Sequence, residues 1–271
     1  MPRSTSPDAM WIPLEIAQNL LMGFEPIATL ARRRHSTGVN ADPIKVREVF
    51  ERYGRFSPVS GKDILEIGPG HTLEVLAQAK LDGAISCTAI DIVDYRSSDQ
   101  AGCEGVKFMR YDGRTIPLAS ASCDLIWSHT AFEHLRFPGQ TVKECFRVLR
   151  PGGSLIALID LGDHAWYGTV PPQPDKVFDC LRYPEWLWNL MRWNRSSYVN
   201  RLRQSEWLDL LGREGFLIRE KETAVSEDTV RLLPSLRYLH KYCQEDAVTS
   251  LLTVCCDKPH TAAVGAVQRW P

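Results

Sequence analysis

The stretch Asp63-Ile-Leu-Glu-Ile-Gly-Pro-Gly70 constrains the fold of this chain more than any other. A run of buried-strand character enters a glycine-rich turn and continues into helical sequence. Glycines let a backbone approach a ligand closely, and a helix N-terminus offers free N–H groups to an anionic end. Many tight strand–helix turns contain glycine, so the weight of this one comes from its surroundings.

Those surroundings alternate. Apolar strand-like runs at 63–67, 87–92, 106–111, 124–128 and 154–160 are interleaved with helical periodicity at 72–80 and 140–149. Pro151-Gly152-Gly153 closes the second of those helices. Strands apolar on both faces and separated by helices form a parallel sheet covered on both sides. The polar stretch 94–105 shortens the crossover between the second and third strands. Beyond Asp160 the composition shifts to tryptophan, tyrosine and proline over 161–200, as in an insertion above the carboxyl edge of the sheet. A helix from Ser205 to Gly215, a strand at 216–222, a helix at 231–242 and a strand at 250–256 complete the pattern.

Ahead of the sheet, apolar residues recur at helical spacing from Trp11 to Leu30, and Arg32, Arg33 and Arg34 suit the end of that helix. A second helix at 42–55 carries Ile44, Val46, Val49 and Phe50 inward. The expected layout is an N-terminal tail and helical segment at 1–37, a main domain at 38–260 whose insertion at 161–204 forms a lid, and a tail at 261–271. Residues 1–8 are polar and expected to be disordered.

The chain of 271 residues carries 32 basic and 33 acidic side chains, net charge −1, without the basic excess that nucleic-acid binding demands. None of its eight cysteines forms a CxxC pair and several lie in apolar runs, as buried thiols do in a reducing compartment. With no signal-peptide-like start and no membrane-length apolar run, a cytoplasmic protein is expected. Peripheral membrane association through 11–34 stays open, and the oligomeric state is not legible.

Three acids end three successive strands: Glu66, Asp91 and Asp112. A carboxylate at Glu66 can meet an ammonium group, one at Asp91 can accept both hydroxyls of a ribose, and one at Asp112 can meet an adenine amino group. The set suits a cationic amino-acid nucleoside and suits a pyrophosphate poorly. A dinucleotide turn calls for G-x-G-x-x-G, and Leu73 stands where its third glycine belongs. That spacing disfavours a nicotinamide-dependent oxidoreductase.

Over residues 60–160 the chain resembles the class I S-adenosylmethionine-dependent methyltransferases, particularly the group related to ubiquinone and sterol methyltransferases. The resemblance rests on Leu65-Glu-Ile-Gly-Pro-Gly70, Ile90-Asp91, Asp112-Gly113 and Ile116-Pro-Leu118. It also rests on Cys123-Asp-Leu-Ile-Trp-Ser-His-Thr-Ala-Phe-Glu-His-Leu135 and Arg147-Val-Leu-Arg-Pro-Gly-Gly153. It implies a Rossmann-like, seven-stranded, mostly parallel α/β sheet with helices on both faces, and S-adenosyl-L-methionine as cofactor. Glu66, Gly68, Pro69 and Gly70 would surround the methionine part, Asp91 the ribose with Ile92 beside the adenine, and Asp112 with Gly113 the adenine edge. Ser128 and His129 would lie near the sulfonium. The chain departs from the common loop at Thr72, which replaces its last glycine; that hydroxyl either binds the methionine carboxylate or caps the helix.

Methyl transfer from a sulfonium is chiefly a matter of positioning, and a base is needed when the acceptor is a hydroxyl. Candidates follow the fourth strand (His129, Glu133, His134) and the fifth (Asp160, Asp163, His164). Asp163 and His164 lead as the catalytic pair, with His129 third. Asp160-Leu-Gly-Asp-His164 could also ligate a divalent ion, but two oxygens and one nitrogen are too few to assign a metal. Arg201 and Arg203 are candidates to grip an anionic acceptor, with solvated helix-edge charges as the equal alternative. Asp-x-x-Asp-His and the Ser197–Ser205 phrase resemble methyltransferases of surface-glycan biosynthesis, and the aromatic insertion suits sugar stacking. The expected reaction is O-methylation of a sugar or glycan intermediate. A small natural-product or quinone-like acceptor and a non-catalytic cofactor-binding scaffold are the alternatives.

Overall fold

A computed structural model describes residues 11–34, 42–95, 103–164 and 176–260. Seven strands form one sheet: β1 (Asp63–Ile67), β2 (Ser86–Asp91), β3 (Val106–Arg110), β4 (Cys123–His129), β5 (Leu149–Asp160), β6 (Leu217–Val225) and β7 (Thr249–Asp257). Their order is β3-β2-β1-β4-β5-β7-β6. The first five run parallel, while β7 is antiparallel to both β5 and β6. Strand order reverses between β1 and β4, and ligand crevices in such sheets open at the carboxyl ends beside that reversal.

Side-chain alternation divides the central strands between two cores. Leu65, Ile126 and Leu155 face one side, where Val142, Cys145 and Val148 of α5 (Pro138–Val148) meet Trp207, Leu208 and Leu211 of α7 (Gln204–Arg213). Ile64, Trp127 and Ile156 face the other, against α3 (Pro43–Phe56) and α4 (Glu74–Leu81). Tyr53 of α3 stacks on Trp127 with ring centroids 4.5 Å apart. Seven of the eight cysteines are buried and all are free thiols.

Several local expectations are corrected. The N-terminal periodicity is two helices, α1 (Trp11–Leu21) and α2 (Glu25–Arg34), separated by a turn at Gly23. In α3, Ile44 is 69% exposed, because Val46, Val49 and Tyr53 define the inward stripe. Pro151-Gly152-Gly153 does not end a helix but belongs to β5, where Gly152 N–H donates to Lys258 O and Lys258 N–H to Gly153 O. The helix expected at 231–242 is α8 (Glu227–Leu232) followed by two single 3-10 turns, since Pro234 cannot continue an α-helix. A short α9 (Gln244–Val248) was not foreseen. The crossover at 96–102, the lid stretch 165–175 and the tails at 1–10 and 261–271 lie outside the described residues.

The described part of the insertion builds a third core. Phe178, Leu181, Trp188 of α6 (Glu185–Arg192) and Tyr198 pack with Leu239 and Val248, and Ile12 and Ile16 of α1 close over them. Asn19 ties α1 to this layer: its amide donates to Leu190 O at 2.9 Å and its carbonyl accepts from Asn194 N–H at 2.7 Å. No helix among the described residues is long and apolar enough to cross a membrane.

Candidate functional site

A cavity of about 740 Å³ opens at the carboxyl ends of β1, β2, β3 and β4. Its floor is the turn after β1. Gly68 and Gly70 have φ of +75° and +67°, left-handed values that L side chains rarely adopt. Gly68 N–H donates to Ile90 O at 2.9 Å, tying this turn to β2. Thr72 Oγ1 accepts from Glu74 N–H at 3.1 Å, so the hydroxyl in place of the loop's last glycine holds the turn into α4, one residue ahead of its N-cap Leu73.

Glu66, at the mouth of β1, is buried, and its Oε2 meets no hydrogen-bond partner. Burial pushes its carboxyl up to about 8. An acid held this way is poised for a cationic partner, which would favour its charged form. Asp91 lines the same cavity from β2. Burial raises it to about 6, against the pull of N–H groups of Val93, Ile92 and Gly70. Asp112 is exposed, and its Oδ1 accepts from Arg114 and Thr115 N–H at 2.8 and 2.7 Å, which holds it below its ordinary value. Its carboxylate therefore also shapes its own loop.

Of the sequence-selected residues, Glu66, Gly68, Pro69, Gly70, Thr72, Asp91, Ile92, Asp112, Gly113, His129 and His164 line the cavity. Ser128 and Asp163 do not. Ser128 is buried with its hydroxyl donating to Ile67 O at 3.1 Å, because strand alternation sends only its neighbour His129 toward the cavity. Asp163 is buried against the insertion, its N–H donating to Val177 O at 2.7 Å; burial raises Cys180 and Tyr183, and the Asp163 charge adds to both.

The far end of the cavity is assembled from the turns after β4 and β5. Phe132–His134 forms a 3-10 turn, and His164 follows β5. His164 Nε2 stands 3.8 Å from Glu133 Oε1 and 3.7 Å from Asp160 Oδ2. The rings of His134 and His164 meet edge to face with centroids 4.6 Å apart. Burial pushes the Glu133 carboxyl well above its usual range, and Asp160 adds to the effect. Burial lowers His129 to about 4, and burial with His164 nearby lowers His134 to about 3. Both rings are therefore neutral at physiological pH.

Asn200 clamps this turn. Its N–H donates to Glu133 O at 2.7 Å and its side-chain amide to Phe132 O at 2.8 Å. Arg203, fully buried, donates to Asp246 O, Leu161 O and Thr249 O at 2.6–2.9 Å and lies over the Phe178 ring. It is neither solvated nor directed at a ligand, and Arg201 donates to Tyr183 O at 2.7 Å. Arg203 thus ties the end of the insertion to β7, and Arg201 ties the insertion to itself. Of the described aromatics of the insertion, Trp188 and Tyr198 are buried in its core, Tyr183 and Trp193 pack against it, and Trp186 is exposed, while Asn194, Arg195 and Ser196 reach the cavity. No sequence signal marked those three, nor Tyr95 and Tyr111, which line it as well.

Residues 65–157 match a family described as a methyltransferase domain. Over that stretch the chain carries a methyltransferase domain. The cradle fits S-adenosylmethionine, the cofactor that the resemblance implies. A positive-φ glycine turn leaves room for a backbone-hugging ligand, and Glu66 lacks a partner at one oxygen. The methyltransferase domain is 36% identical over 95 residues to a malonyl-[acyl-carrier protein] O-methyltransferase of Methylococcus capsulatus, covering 34% of each chain. It is 35% identical over 102 residues to a probable S-adenosylmethionine-dependent methyltransferase of Mycolicibacterium smegmatis, covering 36% of this chain and 37% of that one. The match thus spans about a third of the length of these curated relatives. A solved S-adenosylmethionine-dependent methyltransferase from Mesorhizobium loti shares the fold, with TM-score 0.53 at 16% identity over 78% of this chain and 99% of that one.

Proposed function

We propose that the protein methylates an oxygen of a small acceptor, and that the oxygen is a hydroxyl of a sugar or glycan intermediate. One observation carries this reading. A single cavity is lined both by the Glu66 and Asp91 carboxyls and by the His129, His134 and His164 imidazoles.

S-adenosylmethionine supplies a methyl group on a sulfonium, which passes to the attacking oxygen as the sulfur keeps the bonding pair. Glu66 holds the ammonium of the amino-acid part and Asp91 the ribose hydroxyls. The acceptor hydroxyl must lose its proton as the new O–C bond forms, and the Glu133–Asp160–His164 group stands where that proton can go. Burial keeps water from competing at the acceptor end.

A second reading, a carboxylate acceptor, draws on the malonyl-[acyl-carrier protein] O-methyltransferase among the relatives and on Lys45, Arg136 and Arg195 in the cavity wall. A carboxylate needs no base, so the two readings separate in one experiment. Purified protein is incubated with isotopically labelled S-adenosylmethionine and panels of sugar and carboxylic-acid acceptors, and products are identified by mass spectrometry. Under the hydroxyl reading, labelled methyl ethers form and His164→Ala lowers turnover by about 10²–10⁴ with cofactor affinity retained. Methyl esters, formed at a rate indifferent to His164→Ala, would replace it with the carboxylate reading. Saturable cofactor binding without transfer to any acceptor would count against both.

A further inference from the structure

We infer that Glu133, His134 and His164 form a binding site for a divalent transition-metal ion, completed by Asp160, at the acceptor end of the cavity. One ligand atom from each of the first three lies within 4.8 Å of the others. They come from turns after two neighbouring strands, so the sheet itself sets their spacing.

Four observations support the assignment. Glu133 is 2% exposed, and neither of its carboxylate oxygens meets a hydrogen-bond partner. A buried carboxylate without donors is costly, and a cation removes that cost. His134 Nδ1 lies 2.6 Å from Tyr198 O, a carbonyl that can only accept, so Nδ1 carries the proton and Nε2 is the nitrogen left with a lone pair. Metal-ligating histidines are held in this way, the second ring nitrogen donating to a backbone carbonyl. The contacts of His164 Nε2 with Glu133 Oε1 and Asp160 Oδ2, 3.8 and 3.7 Å, are a few tenths longer than the roughly 3.4 Å between neighbouring ligands of a tetrahedral ion with bonds near 2.1 Å. Asp160 is itself oriented, its Oδ1 accepting from Gly162 N–H at 2.8 Å.

Two imidazoles with carboxylate oxygens suit Zn²⁺, Co²⁺ or Mn²⁺ better than Mg²⁺ or Ca²⁺, which prefer all-oxygen shells. His134 and His164 line the cavity, so a ligand position on the ion would face the acceptor. An acceptor hydroxyl bound there would ionise more readily, so with the ion in place the group would lower the cost of losing the proton instead of accepting it. The role of the ion rests on the oxygen-methylation reading; its binding does not.

The test is therefore made without cofactor or acceptor. Chelator-treated full-length protein is titrated with Co²⁺ and followed by visible d–d absorption, with Zn²⁺ displacing it. One equivalent should bind. Glu133→Gln, which keeps the side-chain shape, and His164→Gln should each weaken Co²⁺ binding by at least about tenfold. Cys243→Ser, at the exposed thiol, should leave it unchanged. S-adenosylhomocysteine binding by each variant reports an intact domain, and if Glu133→Gln does not fold, His134→Gln takes its place. No saturable Co²⁺ band, or a band indifferent to these substitutions, would overturn the inference. Methyl transfer by protein that binds no cation would remove the metal site and keep the proposed reaction. Cation binding without methyl transfer would do the reverse.

Discussion

Gly68 and Ala131 approach so closely that a Cβ built on Gly68 would stand 2.4 Å from the Cβ of Ala131. This contact joins the turn after β1, proposed to cradle the cofactor, to the turn after β4, which carries Glu133 and His134. Gly68→Ala should therefore weaken S-adenosylhomocysteine binding and lower stability by about 1–3 kcal/mol, from left-handed strain together with the clash. Adding Ala131→Gly should recover the steric part alone, which calorimetry and thermal melts can read. Wild-type behaviour of Gly68→Ala would show that the two turns are not coupled.

Asp91→Ala should weaken cofactor binding by about 1–3 kcal/mol, because two ribose hydroxyls lose a charged acceptor. NAD should not bind the wild type. Calorimetric titration with S-adenosylhomocysteine and with NAD decides this, and unchanged affinity in the variant would remove Asp91 from the site.

Glu66 gives the ligand-free protein a distinctive pH dependence. Burial raises its carboxyl from an ordinary 4.5 to about 8, so the folded state holds a proton that the unfolded state releases. The stability tied to that proton is fully present below about 4.5 and is lost as pH rises toward 8. A cationic ligand favours the ionised form, so cofactor affinity should instead rise with pH up to about 8, with proton release on binding. Titrations in buffers of different ionisation enthalpy measure the release. Glu66→Gln should abolish it while keeping the shape of the pocket, and release that persists in this variant would assign the proton elsewhere.

Arg203 should behave as a structural residue. Arg203→Met strips donors from three buried carbonyls, at about 1–3 kcal/mol each, so the expected loss of stability is at least about 3 kcal/mol. Denaturant unfolding should show that loss. A variant of wild-type stability with a raised KM for an anionic acceptor would restore the role first considered for this arginine.

The sequence by itself determined the sheet and the convergence of the strand-end acids on the cavity. Strands β1 to β5 alternate with amphipathic helices, and a parallel sheet places every strand's carboxyl end on one side, so Glu66, Gly68, Asp91 and Asp112 were bound to converge from local pattern alone. Tertiary structure decided the acceptor end. Glu133, Asp160 and His164 meet only because β4 and β5 are neighbours, and Asn200, near the end of the insertion, holds the first of them in place. The same holds for the buried arginine and the lid aromatics. Whether a charged or aromatic side chain faces solvent, a ligand or a core depends on which distant segment covers it, and periodicity within a helix or turn does not record that. Asp163 and His164 are adjacent in the chain, yet one turns into the lid core and the other into the cavity.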